Sequence, residues 1–134
     1  MATILEESRR LALPGSTVFI VSDFHDLNST CEPHLYALAK HCNINFCQVT
    51  DKLERQLPKP AHYSVTNGKR QVVLDTSDKQ LRDSFTHQFT QRENFIQKLC
   101  EQLGAGLLTF DTTKPVMQLL AKAYGKRRSA RNFN

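Results

Sequence analysis

The residues best suited to chemistry are aspartates and hydroxyl residues at the ends of short apolar segments. Because the carboxyl ends of parallel strands meet along one edge of an open sheet, we expect these side chains to converge in a crevice. Carboxylate and hydroxyl oxygens are hard ligands that suit Mg²⁺ with some of its waters retained. The candidate ligands are Ser22, Asp23, Asp26, Thr50 and Asp51.

The same aspartates also have a structural interpretation, in which each carboxylate caps a helix or turns the chain. For Asp111 this interpretation is the stronger one, whereas for Asp23 and Asp51 both interpretations stay open. His25 lies between Asp23 and Asp26, where it can orient a water, bind a metal ion or remain a solvated loop residue. Besides these aspartates, the expected crevice contains His25 and Thr50.

No further catalytic centre is recognisable. The sequence has no glycine-rich phosphate loop, no GxSxG and no HExxH pattern. Its four cysteines show neither a CxxC pair nor zinc-ligand spacing, which favours reduced thiols in a cytosolic protein. We therefore predict a non-enzymatic protein with no strongly bound cofactor. The alternative is a Mg²⁺-dependent phosphoryl hydrolase or nuclease that uses Asp23, Asp26 and Asp51.

The basic charge of the chain is concentrated at its carboxyl end. The 134 residues carry 18 basic and 13 acidic side chains, and four of the basic ones lie in the last nine positions. We predict one domain over residues 1–125 and a basic flexible tail over 126–134. Nothing else resembles a nucleic-acid module, so we expect no nucleic-acid partner. The four basic tail residues are Lys126, Arg127, Arg128 and Arg131.

The sequence shows no sign of export or membrane anchoring. No apolar run approaches the roughly 20 residues that a membrane-spanning helix needs. The first ten residues also lack the apolar stretch of a signal peptide. These features predict a cytoplasmic chain without a membrane segment.

Strand and helix patterns alternate along the chain. Thr17–Ser22 (TVFIVS) is an uninterrupted apolar run, which is typical of a parallel strand covered on both faces. Further strands are predicted over 44–50 and 106–110, with helical periodicity before, between and after the three. The order predicts an α/β fold with a parallel three-stranded core sheet, flanking helices and one β-hairpin.

Turn and capping residues place the remaining elements. Asn67-Gly68 most readily forms a two-residue type I′ turn, a register in which Val65 pairs with Arg70. Capping oxygens predict a long helix over 78–103 that ends at a glycine. The last helix is expected to receive its cap from Thr112 or Thr113.

Three motifs then occur in a fixed order. Pro14-Gly15-Ser16 leads into TVFIVSDFHD, VTDKLERQLP follows, and a hairpin precedes LDTSDKQLRDSF. Over about residues 5–125 this order resembles the C-terminal half of the DUF58 family, whose domain is similar to von Willebrand factor A. Arg82 and Arg92 fit the places of arginines in the long helix of that family.

The resemblance implies half of a doubly wound fold, with an incomplete metal-ion-dependent adhesion site at the carboxyl ends of its strands. Asp23 matches the aspartate that closes this site through a water, and Ser22 and Asp26 lie beside it. The Asp-x-Ser-x-Ser strand and the later threonine that hold the ion are missing, so we expect a fragment that binds Mg²⁺ weakly or not at all. The family's frequent neighbours, MoxR-type AAA+ ATPases, are the implied partners of an adaptor.

An exposed strand edge is a further implication. In the family's sheet, the strand that matches Thr17–Ser22 lies beside a strand that this sequence lacks. Val18, Phe19 and Ile20 then lose part of their cover, and a bare apolar edge is a template for pairing. We therefore expect a homodimer through this strand, unless the opening helix or the hairpin covers it.

Overall fold

The structure is a computed structural model that describes residues 1–66, 68, 69 and 71–125. The predicted basic tail over 126–134 lies outside these residues. Apart from one additional short helix over 52–55, helices and strands follow the order that the sequence predicts. They are α1 Ala2–Leu11, β1 Thr17–Ser22, α2 Glu32–Ala39, β2 Asn43–Thr50, α3 Lys52–Arg55, β3 His62–Thr66, β4 Gln71–Asp75, α4 Lys79–Leu103, β5 Gly106–Asp111 and α5 Val116–Tyr124.

The core sheet has three parallel strands in the order β1-β2-β5. Thr17 lies opposite Asn43, and Asn45 lies opposite Gly106. The α/β fold and the parallel three-stranded sheet are therefore confirmed. In this order β1 and β5 are the two edges, so β1 has one hydrogen-bonded neighbour within the described part of the chain.

One face of the sheet, the first face, carries the hydrophobic core. Ile44 and Phe46 of β2 lie on this face and are buried against α1, α2 and α4. Those helices contribute Leu5, Leu35, Leu38, Ile96 and Leu99. The helix periodicity in the sequence predicts this layer, because each helix turns one apolar stripe inward.

The opposite face, the second face, is largely open, and the prediction that β1 is covered on both faces is wrong. Phe19 is 52% exposed and Val21 is 68% exposed. The last helix, α5, reaches this face through Tyr124, whose ring meets that of Phe19 edge-on at 6.2 Å between centroids. The Tyr124 hydroxyl also donates a hydrogen bond to Oδ1 of Asn45 at 3.2 Å.

The hairpin forms, but not in the predicted register. Val65 pairs with Val72 rather than with Arg70. The reason is that four residues, 67–70, lie between the two strands, whereas the prediction has a loop of two. Thr66 Oγ1 accepts the N–H of Gly68, whose φ is +85°. A shift of two residues does not exchange the two faces of the hairpin.

The caps of the last two helices differ from one another. In α4, Asp78 accepts the N–H of Gln80 at 2.8 Å, and Gly104 ends the helix with a φ of +62°, as predicted. The helix α5 begins after Pro115 without a side-chain cap, so the expected cap from Thr112 or Thr113 is wrong. No helix in the described part of the chain combines the length and apolarity that a membrane crossing requires.

Candidate functional site

At the end of β1 the chain makes a tight turn around a buried aromatic residue. Phe24 is fully buried and adopts a φ of +59°, in the left-handed region that non-glycine residues seldom enter. Ser22 Oγ accepts the N–H of Phe24 at 3.0 Å, and Asp23 Oδ1 accepts the N–H of His25 at 3.1 Å. This N–H is the main cause that lowers the pKa of Asp23 below its ordinary value of 3.8.

His25 connects this turn to α4. Its Nδ1 lies 3.2 Å from Oδ2 of Asp23, and its Nε2 lies 2.9 Å from Nη1 of Arg92. A guanidinium can only donate, so Nε2 accepts and the neutral ring carries its hydrogen on Nδ1, toward Asp23. Both ring nitrogens are therefore engaged, which leaves no free lone pair on His25 for a metal ion in this arrangement.

At the end of β2, two side chains tie the strand to its neighbours. Thr50 is buried, and its Oγ1 accepts a hydrogen bond from Nη2 of Arg55 at 3.1 Å. Asp51 caps α3, because its Oδ1 accepts the N–H of Leu53 at 2.9 Å, while its Oδ2 accepts the Thr112 hydroxyl at 2.7 Å. The Leu53 N–H first, and then the Thr112 hydroxyl, lower the pKa of Asp51.

Asp111, at the end of β5, turns the chain, as the capping interpretation predicts. Its Oδ1 accepts both the hydroxyl and the N–H of Thr113, at 2.6 and 2.9 Å, and these bonds lower its pKa. The Nζ of Lys114 lies 4.0 Å from Oδ2. At each of the three strand ends, an aspartate carboxylate therefore accepts a hydrogen bond from a nearby backbone N–H.

The candidate ligands do not form one metal site. Asp23 contacts His25, and Asp51 contacts Thr112, while the Asp26 side chain is exposed to solvent. Among the described residues, no group of three His, Cys, Asp or Glu side chains is arranged to hold a metal ion. The donors at the strand ends thus do not fit a directly bound Mg²⁺.

The second face offers a different kind of site, an apolar groove between the sheet and α5 with a volume of about 510 Å³. Its polar borders are Asp111, Thr112 and Lys114, and burial raises the pKa of the Cys47 thiol within it. A thiol with a raised pKa stays neutral and is a poor nucleophile. The apolar lining consists of Phe19, Val21, Cys47, Val49, Phe110, Val116 and Leu120.

Three contacts at the strand ends are not predictable from the sequence alone. Arg92 reaches His25 across 67 positions, Thr112 reaches Asp51 across 61, and Arg55 reaches back to Thr50. No spacing rule links the first two pairs, which are 67 and 61 positions apart, and none predicts the bond from Arg55 to Thr50 five positions earlier. Only the family resemblance singled out Arg92, and it assigned that residue no contact.

Comparisons with known proteins give one match. No curated protein and no solved structure matches the chain significantly. The family model described as "Protein of unknown function DUF58" matches residues 1–94, which is more than half of the 134 residues. The chain therefore belongs to the DUF58 family.

Proposed function

We propose that this chain is a non-enzymatic protein-interaction module that binds its partner in the apolar groove of the second face. The main support is the exposure of that face, where Phe19 and Val21 line the groove and are exposed to solvent. Large exposed apolar patches with a polar border are typical of protein-binding surfaces. The partner that the family resemblance implies is a MoxR-type AAA+ ATPase, for which the chain would serve as an adaptor.

The hydrolase alternative receives no comparable support from the described residues. A metal-dependent hydrolase needs open coordination positions and a cation over the electrophile. Here Asp23 and Asp51 each accept a backbone N–H, and the described residues contain no three-ligand group. We therefore expect no metal-dependent turnover of phosphodiesters or nucleotides, and turnover lost in Asp51→Asn would favour the alternative.

The adaptor proposal is tested by titrating the chain with a purified MoxR-type ATPase from the same genome, using interferometry. Val116 lines the groove and Met117, the next residue, does not, although both are exposed. We expect Val116→Glu to weaken binding at least tenfold, because a carboxylate would be desolvated in the groove. Met117→Glu is the matched control and should bind like the parent. Absence of binding, or equal losses in the two variants, would refute the proposal.

A further inference from the structure

A second cavity, the basic pocket, adjoins the apolar groove at the beginning of α5. Its volume is about 390 Å³, and among its described lining residues three charged side chains are basic and one is acidic. The two cavities share four lining residues, including Lys114 and Val116, so they are neighbouring parts of one surface. The charged residues of the basic pocket are Arg55, Asp111, Lys114 and Lys122.

The spacing of residues along α5 separates the two cavities. Val116 and Leu120 are four residues apart and line the groove, whereas Leu119 and Lys122 are three apart and line the basic pocket. Lys122 therefore contributes its charge to the basic pocket and not to the groove. A molecule that occupies both cavities passes the beginning of α5, where Val116 and Lys114 line each of them.

The guanidinium of Arg55 is held in position on one wall of the basic pocket. Its Nη2 donates to Oγ1 of the buried Thr50 at 3.1 Å, and its Cζ lies 5.8 Å from the centre of the Phe89 ring. In the described part of the chain this is the one hydrogen bond that Arg55 forms, so its other N–H groups can serve a ligand. A guanidinium fixed in this way suits a carboxylate, which accepts two parallel N–H bonds.

The positive charge of the basic pocket is only partly neutralised by the chain itself. The Lys114 Nζ lies 4.0 Å from Oδ2 of Asp111, and Lys122 forms no ion pair with another described residue. The described lining thus has a formal charge of +2. From residue 112 to residue 134 the sequence contains six basic residues and no acidic one, so this segment cannot supply the missing anion. We expect a bound molecule to supply it.

On the basis of the proposed function, we propose that the basic pocket binds an acidic side chain of the same partner whose apolar residues occupy the groove. Nucleic acid binds chiefly through its phosphates and would leave the apolar lining unused. A free acyl chain would stay largely hydrated beside Phe19 and Val21, which are open to solvent, whereas small-ligand sites enclose most of their ligand. A protein segment presents apolar and acidic side chains together, and its own body covers the exposed face.

Titration of variants with the purified ATPase tests the basic pocket. We expect Arg55→Gln to weaken binding about tenfold, because a charge-assisted hydrogen bond to the carboxylate is lost. Lys122→Gln should weaken binding about threefold through its exposed charge, and it removes no internal contact that could disturb the fold. Lys98→Gln is the matched control, since Lys98 is an exposed lysine of α4 that borders neither cavity. If Val116→Glu weakens binding but Arg55→Gln and Lys122→Gln do not, the proposed function stands and the acidic contact is refuted.

Two dyes test the same chemistry without the ATPase. Anilinonaphthalene sulfonate has an apolar body with one negative charge, and phenylnaphthylamine has the same body without the charge. We expect Lys114→Gln to weaken binding of the sulfonate about threefold and to leave binding of the neutral dye unchanged. Val116→Glu should weaken both dyes, because it places a charge in the apolar lining. Equal responses of the two dyes to Lys114→Gln would overturn the proposal, whether or not the ATPase binds.

Other anionic occupants are distinguished by direct titration. Dodecanoate supplies a carboxylate on a free acyl chain, and a single-stranded oligonucleotide supplies phosphates. We expect neither to bind at micromolar concentration. Micromolar binding of either one that Lys122→Gln weakens and Lys98→Gln does not would assign the basic pocket to a lipid or to a nucleic acid and overturn the proposal.

Discussion

Arg82 illustrates how a single side chain holds two segments of this fold together. Its Nη1 donates to the carbonyl oxygens of Pro58 and Thr76, at 2.8 and 2.9 Å, and its Nη2 donates to that of Leu57 at 3.3 Å. These carbonyls belong to the chain that enters and leaves the hairpin. The guanidinium therefore fixes the base of the hairpin to the first turn of α4.

We expect Arg82→Ala to lower the free energy of unfolding by about 2–3 kcal/mol, since hydrogen bonds from a charged group contribute more than neutral ones. The free energy of unfolding of Arg82→Lys should lie between those of the parent chain and Arg82→Ala, because an ammonium lacks the planar fork that reaches three carbonyls. Urea denaturation measures both. Arg10→Ala removes an exposed ion pair with Glu6 and should cost less than about 1 kcal/mol. Equal losses of unfolding free energy in Arg82→Ala and Arg10→Ala would contradict the role of Arg82 in holding the hairpin to α4.

The Asp51 carboxylate is expected to titrate below its ordinary pKa of 3.8, because it accepts the Leu53 N–H and the Thr112 hydroxyl. Thr112→Val removes the second bond and should raise the Asp51 pKa, which carbon-detected NMR can follow. A carboxylate whose pKa is lowered in the folded state stabilises the folded chain at pH values above its unfolded-state pKa. That stabilisation is lost as the pH falls through the folded-state pKa. The loss of stability on acidification should be smaller in Thr112→Val than in the parent chain. An Asp51 pKa that does not respond would show that the Thr112 bond is absent in solution.

The residue contacts at the strand ends mark the limit of what the sequence predicts. Asp111 could be assigned to a turn, because Asp followed two residues later by Thr has a local hydrogen-bonding solution. His25 could not be assigned, because its partner Arg92 lies on a helix whose position depends on the whole core. Local rules therefore recover caps and turns, and they miss contacts between separate elements.

At the scale of elements, apolar pattern fixed the bounds of β1 but not its environment. Thr17–Ser22 is a strand as predicted. However, a short apolar run has the same sequence pattern whether or not a second layer of helices covers the strand. The hairpin shows a similar limit, because Asn67-Gly68 indicates a reversal without fixing the length of the loop. The number of helices over each face depends on chain segments far from the strand itself.

Gly104 provides a test of an element boundary. It ends α4 with a φ of +62°, and a Cβ built there would meet no atom within 4 Å. Gly104→Ala should therefore cost about 1–2 kcal/mol from backbone strain alone. Gly104→Asn should cost less, because asparagine tolerates this conformation better. Thermal unfolding compares the two, and an alanine variant as stable as the parent would contradict the strained cap.

For the whole molecule, we expect Mg²⁺ to have little effect on stability. The strand-end carboxylates accept hydrogen bonds from the chain, and no three His, Cys, Asp or Glu side chains of the described residues are arranged to hold a metal ion. The unfolding temperature should be the same in millimolar Mg²⁺ and in excess chelator, and calorimetry should detect at most millimolar affinity. Micromolar affinity that is abolished in Asp23→Ala would contradict this expectation and revive the hydrolase alternative.

The one-sided core also predicts where the fold opens first. The α4 residues Ile96 and Leu99 are buried, whereas α5 has no buried residue. Segments with little buried apolar surface open at low free energy, independently of global unfolding. We expect backbone amides of α5 to exchange hydrogen much faster than those around Ile96, when both are followed by mass spectrometry.

The anchor of α5 supplies the control for that measurement. Tyr124 packs its ring against Phe19 and donates its hydroxyl to Asn45, and both contacts attach this helix to the sheet. Tyr124→Ala should speed exchange throughout α5 and leave exchange around Ile96 unchanged, because the core of the first face does not depend on this contact. Protection of α5 equal to that of α4, or equal acceleration of both helices in Tyr124→Ala, would mean that the two faces of the sheet unfold as one unit.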